Sequence, residues 1–571
     1  MCKLIDELQK LKKSSNESID NEHSFSLFKK YMHIERQIQR DLEQIIYQTK
    51  AKKKALVLVC GNVGDGKSHL VSYLKNEEKL LDNFIIHNDA TESYSRNQTE
   101  KQALAKVISA FSDSNIDSDI EAKVIVAINL GVLSNFIYSD EGKGFSKLRQ
   151  YVEASRVLVD DDSIENQYDS DVFYHVNFGD YHLYRLNDGT VDSPYLKNLL
   201  HKIFDAHQDN PFYRVYKNSC DVCPYSEQCP VKANFEMVQD DRVKAGITRI
   251  LIEAIIKDKL IISTRELLNF VYDITVHPSI SPNSYKGEFS LEYLLPNLLY
   301  NHSDFSDLLS HISKFDLMNI RNEHLDDVIS RFVNSLDPIK MYKQYIAKSA
   351  CQAIIEKSYA FGKVKEKNNS YLTLFIRLIK LIPISNEIMP VNEEYSQYLQ
   401  YLYAATRRDN TTIRQLARIV EACVYKWTGS EDKKKIIIRE IGDLYFIATT
   451  LEIRIGRFSE KPEKSETVFD KFSERIKLNF YVESKGKRIH EELYIDYELY
   501  EMLIKIHNGY KVSAKEVNYY AAFFSFVERL ITHSRYKTEL TINVRSGLKS
   551  YKLRDESYED EEPNYEFEEV M

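Results

Sequence analysis

The stretch LVLVCGNVGDGKSHL at 56–70 constrains the fold more than any other part of the chain: an apolar run, a glycine-bracketed loop, then Lys-Ser opening a helix. Gly61, Gly66, Lys67 and Ser68 meet the spacing Gly-x4-Gly-Lys-Ser, and a strand before it with a helix after it is the context that gives this spacing meaning. Glycines let such a loop curl so that successive N–H groups point inward, and the helix behind it adds a positive dipole end. These features predict a nucleoside triphosphate site cradled by Gly61, Asn62, Val63, Gly64, Asp65, Gly66, Lys67, Ser68 and His69. Lys67 would reach the β- and γ-phosphates of ATP, and the Ser68 hydroxyl would hold Mg2+. Asp65 is unusual there, because a carboxylate beside phosphates repels them unless it points outward or helps hold the metal.

Four short apolar runs read as parallel strands: LVLVC (56–60), NFIIHND (83–89), AKVIVAIN (122–129) and DVFYHVNFGD (171–180). Each interval has room for a crossover helix, such as TEKQALAKVISAF between the second and third. The expected fold is a doubly wound α/β P-loop core with an AAA+-like parallel sheet. Upstream, Ile34, Ile38, Leu42, Ile45 and Ile46 keep helical spacing, and the run KAKKK at 50–54 reads as a solvated link. Downstream, the segment EMVQDDRVKAGITRILIEAIIKDK and then STRELLNFVYDI, with Ser263 and Glu266 at capping-box spacing, predict a helical lid over the nucleotide. The implied plan is an N-terminal helical segment (1–50), the P-loop core (51–200), a cysteine-rich insert (201–240), the lid (241–345), a mixed C-terminal region (346–554) and an acidic tail (555–571).

Hydrolysis in such proteins needs an acid at a strand end to order Mg2+, and usually a second carboxylate to polarise water. The strand AKVIVAIN ends in Asn129-Leu130 where that pair is expected, and an amide can hold a water on Mg2+ without acting as a base. The nearest strand-end carboxylates are Asp89 and Glu92, read either as the metal-ordering and water-activating acids or, for Asp89, as a helix cap. Asn177 stands where a polar residue senses the γ-phosphate, and Arg265, in the first turn of the lid helix, fits an arginine reaching the same phosphate.

In NSCDVCPYSEQCPVKANF, Cys220, Cys223 and Cys229 have C-x2-C-x5-C spacing, which lets three thiolates converge on one metal. His207, His201 or a more distant residue could complete the set, with His207 the first candidate. Zn2+ is the first reading, with an iron–sulfur cluster and three plain buried thiols as the others.

With 43% hydrophobic and 29% charged residues the chain has the composition of a globular protein. No apolar run reaches the roughly 18 residues that cross a bilayer, the N-terminus lacks a signal-peptide core, and cytoplasmic localisation with no membrane partner is expected. The formal charge is −9, but the last 17 residues hold nine acidic groups and no Lys or Arg, so the remainder is neutral on balance. That tail reads as a solvated end or as an arm covering a basic groove. Arg407, Arg408, Arg414, Arg418 and Lys433 to Lys435 are candidate DNA contacts, or an ordinary solvated face.

The ordered set VCGNVGDGKSHL, IIHNDATES, VIVAINLGVLSNF, HVNFGDYHLYRL, NPFYRVYKNSCDVCPYSEQCPVKANF and ISTRELLNFVYDI resembles the F subunits of DNA phosphorothioation-dependent restriction systems. The resemblance covers about residues 30–280. It implies an ATPase component of a bacterial antiviral defence complex that works with G and H subunits, against DNA lacking the sulfur modification. Oligomerisation is compatible with this setting. A nucleotide-gated scaffold with little hydrolysis of its own is the alternative that Asn129 suggests.

Overall fold

The computed structural model describes residues 2–16, 26–88, 99–158, 170–281, 290–320, 323–343, 352, 354–356, 364–382, 392–430, 434–442, 444–484, 487–534, 539–544, 550–555 and 564–570. The chain divides into two compact units, Met1–Arg185 with Asp192–Val391, and Leu186–Val191 with Asn392–Met571.

The first unit is built on four parallel strands, β1 (Lys54–Gly61), β2 (Ile85–His87), β3 (Ala122–Asn129) and β4 (Phe173–Asn177), in the order β2-β3-β1-β4. All four expected strands are present, and the α/β reading of this region holds. Every residue of β1 is buried because the strand is covered on both faces, which is why it reads as a continuous apolar run instead of an alternating one. Leu56 and Leu58 point into a core with Val124, Val126, Phe111 and Phe136. Val57 and Val59 point to the opposite core with Ile125, Leu70, Leu74, Ile38 and Leu42.

Helices α1 (Lys3–Asn16), α2 (Leu27–Met32) and α3 (Gln37–Thr49) precede β1, and α4 (Lys67–Asn76) follows its loop. Helix α5 (Glu100–Val107) makes the crossover between β2 and β3, while α6 (Leu130–Ile137) and α7 (Ser146–Ala154) lie between β3 and β4. Then come α8 (Pro194–Phe204), α9 (Pro211–Cys220), α10 (Pro230–Gln239), α11 (Asp241–Asp258) and α12 (Thr264–Asp273). The long helical segment expected here is two helices, broken where Asp240 accepts from the Arg242 N–H and caps α11. The capping box of Ser263 and Glu266 at the start of α12 forms as expected.

The run at 50–54 is not wholly a solvated link. Lys54 is buried as the first residue of β1, and its ammonium bonds the Ile116 carbonyl and the Ser118 hydroxyl, both at 3.0 Å. The expected change of region at 346 falls inside the first unit. Helix Val364–Leu381 belongs there, tied by Arg377, which pairs with Asp316 at 2.6 Å in the interior.

The second unit combines helices Glu393–Arg407, Asn410–Trp427 and Tyr497–His507 with antiparallel sheets. A hairpin of β5 (Arg185–Asn187) and β6 (Thr190–Asp192) adds β10 (Val468–Phe469), pairing Leu186 with Phe469. Strands β9 (Ile453–Ile455), β11 (Ile476–Ser484) and β12 (Lys487–Ile495) make a second sheet. The third contains β7 (Lys435–Ile441), β8 (Tyr445–Thr450), β13 (Glu539–Val544), β14 (Ser550–Asp555) and β15 (Tyr565–Val570).

Residues 564–569 of the acidic tail are exposed, in keeping with a solvated end, yet 565–570 form a strand and 556–563 lie outside the described residues. Residues 565–570 pair along β14, placing Glu568 opposite Lys552 and Glu566 opposite Arg554, while Phe567 stacks on Tyr551 with ring centroids 5.2 Å apart. Alternating Tyr-Glu-Phe-Glu gives this segment a strand period that its charge count conceals. Among the described residues no helix is long and apolar enough to cross a membrane.

Candidate nucleotide site

Strand β1 ends at Gly61 and α4 begins at Lys67, so the loop between them lies at the carboxyl edge of the parallel sheet, where ligands of open α/β sheets bind. Gly64 and Gly66 adopt φ of 90° and 103°, a backbone region that side chains oppose. Asn62 and Val63 form the exposed tip, whereas residues 64–69 are half-buried.

The loop bonds to itself. The Lys67 ammonium donates to the carbonyls of Gly61 (3.0 Å) and Asn62 (2.6 Å), which brings its charge to the mouth of the loop. Asp65 turns inward: its Oδ2 accepts from the Asn62 N–H at 2.5 Å, occupying a donor that a phosphate oxygen would otherwise take. Burial pushes the Asp65 carboxyl up, opposed by that hydrogen bond and by the charges of Lys67 and Arg36. Arg36 is itself held over the Phe178 and Tyr195 rings and donates to the Tyr181 carbonyl at 3.3 Å.

Ser68 lies in the first turn of α4, and His69 follows it, facing His33 with 3.1 Å between ring nitrogens. His33 in turn stacks flat on Tyr73. Burial, and then the charge of His33, push the His69 imidazole down to about 4.

The start of α12 meets the loop. The Thr264 hydroxyl donates to the Asp65 carbonyl at 3.1 Å. A methyl group on Gly64 would come within 3.2 Å of the Ser263 side chain and 3.5 Å of the Arg265 Cβ. The structure therefore places Arg265 beside the loop. Ser263, Thr264, His33 and Arg36 also sit there, without a local sequence pattern that marks them as loop partners; only the capping box fixed where α12 begins.

Asn129 ends β3 directly beside Gly61 in the sheet register, and its side chain caps α6 by accepting from the Gly131 N–H at 2.8 Å. Asn177 ends β4 beside Cys60; it is buried, accepts from the Gly179 N–H at 3.2 Å and donates to Asp180 at 3.2 Å. Both amides flank the loop strand. Asp89 and Glu92 lie outside the described residues; β2, which leads to them, is the second strand from β1.

The cysteine segment folds as a knuckle between α9 and α10. Cys220 ends α9, Cys223 sits in the following turn with its N–H donating to the Cys220 carbonyl (3.2 Å), and Cys229 precedes Pro230 at the start of α10. Burial raises the Cys220 thiol to about 12 and the Cys229 thiol to about 11. His207 is exposed and its Nδ1 lies 3.5 Å from the Asp209 carboxylate.

Elsewhere, His201, Asp205 and Asp241 have ligand atoms within 4.8 Å of one another. Their cation is already supplied: the buried Lys244 ammonium bonds Asp241 at 2.9 Å and also bonds Asp205. This group is an ion-pair network joining α8 to α11.

No known protein-family model and no curated protein matches the chain. The geometry alone describes a curled, donor-rich loop at a helix N-terminus, a lysine at its mouth and an arginine-bearing helix against it. Such an arrangement can bind a polyanion through backbone N–H groups and neutralise it with side chains from two elements.

Proposed function

We propose that the chain binds ATP with Mg2+ in the 61–69 loop and hydrolyses it, as the ATPase subunit of a cytoplasmic DNA phosphorothioation-dependent restriction complex. The observation that carries the nucleotide reading is the meeting of the loop with the N-terminus of α12, where Thr264 bonds Asp65 and Arg265 stands beside Gly64. Triphosphate entering the loop would draw Lys67 off the Gly61 and Asn62 carbonyls and displace the Asp65 carboxylate from the Asn62 N–H. With triphosphate bound, Lys67 would neutralise the β- and γ-phosphates, Ser68 would hold Mg2+, which would screen the phosphate charge, and Arg265 would reach the γ-phosphate from α12. The acid would come from the β2 edge, about 10 Å or two strand spacings across from β1, with Asn129 and Asn177 as polar neighbours of the phosphate. The setting, with G and H partner subunits and DNA lacking sulfur in its backbone, rests on the resemblance of residues 30–280.

A second reading, a nucleotide-gated scaffold that turns over little ATP alone, is favoured by the commitment of Asn129 to capping α6. Both readings are tested by ATP binding and turnover of wild type and Lys67→Ala, with and without duplex DNA. Turnover by wild type that Lys67→Ala lacks identifies a working ATPase. Binding without turnover, even with DNA, selects the scaffold, and absence of binding rejects both.

A further inference from the structure

The arginines grouped in sequence at 407–418 do not stay together in the fold. Arg407 is spent inside the second unit, where its Nε pairs with Glu463 at 2.8 Å and donates to the Lys464 carbonyl at 3.3 Å. Arg408 and Arg414 instead line a cleft of about 370 Å3, together with Arg457 and Lys461. The start of helix Asn410–Trp427 forms one wall of it and the loop after β9 forms the other. Arg418, on the same helix, is outside the lining. Arg408 sits at φ 71°, where glycine would end the preceding helix at lower cost, so its side chain is carried against a backbone preference.

Side-chain amides fix the loop wall from both sides. Asn410 accepts from the N–H groups of Phe458 and Ser459 at 2.8 and 3.2 Å and donates to the Ser459 carbonyl at 3.1 Å. Asn479 on β11 donates to the Arg457 carbonyl at 3.1 Å, and its own carbonyl accepts from the Gly456 N–H at 2.8 Å. A cleft built this way is formed in advance, so a ligand meets little ordering cost. Its floor is apolar, with Ile413, Ala417 and Leu478 buried and Phe458 half-buried at the edge. The charges at its rim do not cancel. Asp409 is committed to the helix cap, accepting from the Thr411 and Thr412 N–H groups at 2.9 and 3.3 Å, and Glu463 is committed to Arg407. Only Glu460 remains among the lining acids against Arg408, Arg414, Arg457 and Lys461. Among the described residues, the guanidinium groups of Arg414 and Arg457 form no ion pair or hydrogen bond.

Uncommitted guanidinium groups above an apolar floor suit a ligand with a strong anion at one end and a flat apolar body at the other. The volume lies at the lower end of the roughly 300–1,000 Å3 of small-molecule sites, and an inorganic anion alone would leave the floor uncovered. We propose that this cleft binds a nucleoside phosphate, with the base over Phe458 and the floor and the phosphate between Arg414 and Arg457. Arg408 and Lys461 add charge around it. A unit of single-stranded nucleic acid and a free mononucleotide bring the same chemistry, and aromatic faces beside cations are how sequence-tolerant strand sites are built. The site does not rest on the ATP reading, because the 61–69 loop belongs to the first unit.

The test titrates the full chain with a short fluorescently labelled DNA single strand and, separately, with thymidine monophosphate, which lacks the β- and γ-phosphates proposed for the loop. Arg414→Ala with Arg457→Ala is expected to weaken the bound probe about ten-fold or more at low salt. Arg418→Ala, which removes the same charge from the same helix outside the cleft, should leave binding near wild type. If the natural source is a strand, the slope of log affinity against log salt falls by about 1.4 in the double variant, about 0.7 for each lost phosphate contact. If the source is a free nucleotide, the monophosphate binds wild type and displaces the strand. Absence of binding by both probes, a double variant that binds as wild type, or an equal loss from Arg414→Ala and Arg418→Ala overturns the proposal. Glu460→Gln removes the remaining lining acid and should tighten binding, a gain that misfolding cannot mimic; no gain at low salt overturns the placement of the phosphate. Arg414 and Arg457 are exposed, and unchanged urea midpoints of the variants are expected.

Discussion

Thr264 donates a hydrogen bond of 3.1 Å to the carbonyl of Asp65, a residue 199 positions earlier in the chain. This single contact fastens the first turn of α12 to the centre of the 61–69 loop. Thr264→Val keeps the shape and removes the donor, so stability should fall by about 0.5–1.5 kcal/mol, the ordinary contribution of one hydrogen bond. ATP affinity should fall several-fold as the loop loosens. Denaturant unfolding and nucleotide titration of the purified variant measure both, and unchanged ATP affinity would separate the lid from nucleotide binding.

Asp65 occupies the Asn62 N–H with a carboxylate. Asp65→Asn retains an acceptor for that N–H while removing a negative charge from the proposed phosphate site. Affinity for ATP should rise about three-fold or more, most strongly at low salt where charge is least screened. Weaker binding at every salt concentration would show instead that the carboxylate assists the metal.

The His69 imidazole is lowered from 6.5 to about 4 by burial and by His33. Between these values the unfolded chain binds a proton that the folded chain refuses, so stability is full above pH 6.5 and is lost as pH falls toward 4. Urea midpoints should therefore drop between pH 7 and pH 5, and His69→Gln should flatten that part of the profile. A variant with the wild-type slope would assign the acid sensitivity to other groups.

Arg377 is fully enclosed by its partners: it bonds Asp316 at 2.6 and 3.1 Å, and Asn297 and Asn301 at 2.7 Å each. Arg377→Met leaves the Asp316 carboxylate buried without its counter-charge and should cost about 3–5 kcal/mol. The double variant Arg377→Met with Asp316→Leu should recover much of this loss in the same unfolding measurement. Failure to recover would locate the cost in Asn297 and Asn301.

The parts of the fold that were legible in the sequence are those governed by neighbours along the chain. The glycine spacing, the apolar run of β1 and the capping box at Ser263 are local patterns, and each appears where its pattern predicts. What was not legible depends on partners far away in sequence. Lys54 looks like one more lysine in a basic run until the carbonyls near Ile116 are folded against it. Asn129 reads as a departure from an acidic motif, yet its side chain serves the first turn of α6, a role that competes locally with any part in hydrolysis. The strand in the tail went unread for a different reason, because nine acidic groups outweigh three aromatic residues in any reading by composition.

Strand β15 lies at the rim of its sheet with Glu566, Glu568 and Glu569 along it. Its charges make that rim a poor template for a second sheet, because any incoming strand would meet a row of like carboxylates without enough cations to offset them. Deleting residues 565–570 would turn β14, with Tyr551 and Leu553, into the new margin. The acidic segment thus guards the sheet against adhesion, and the cost of removing it would be read first as aggregation, before any change in what the protein binds.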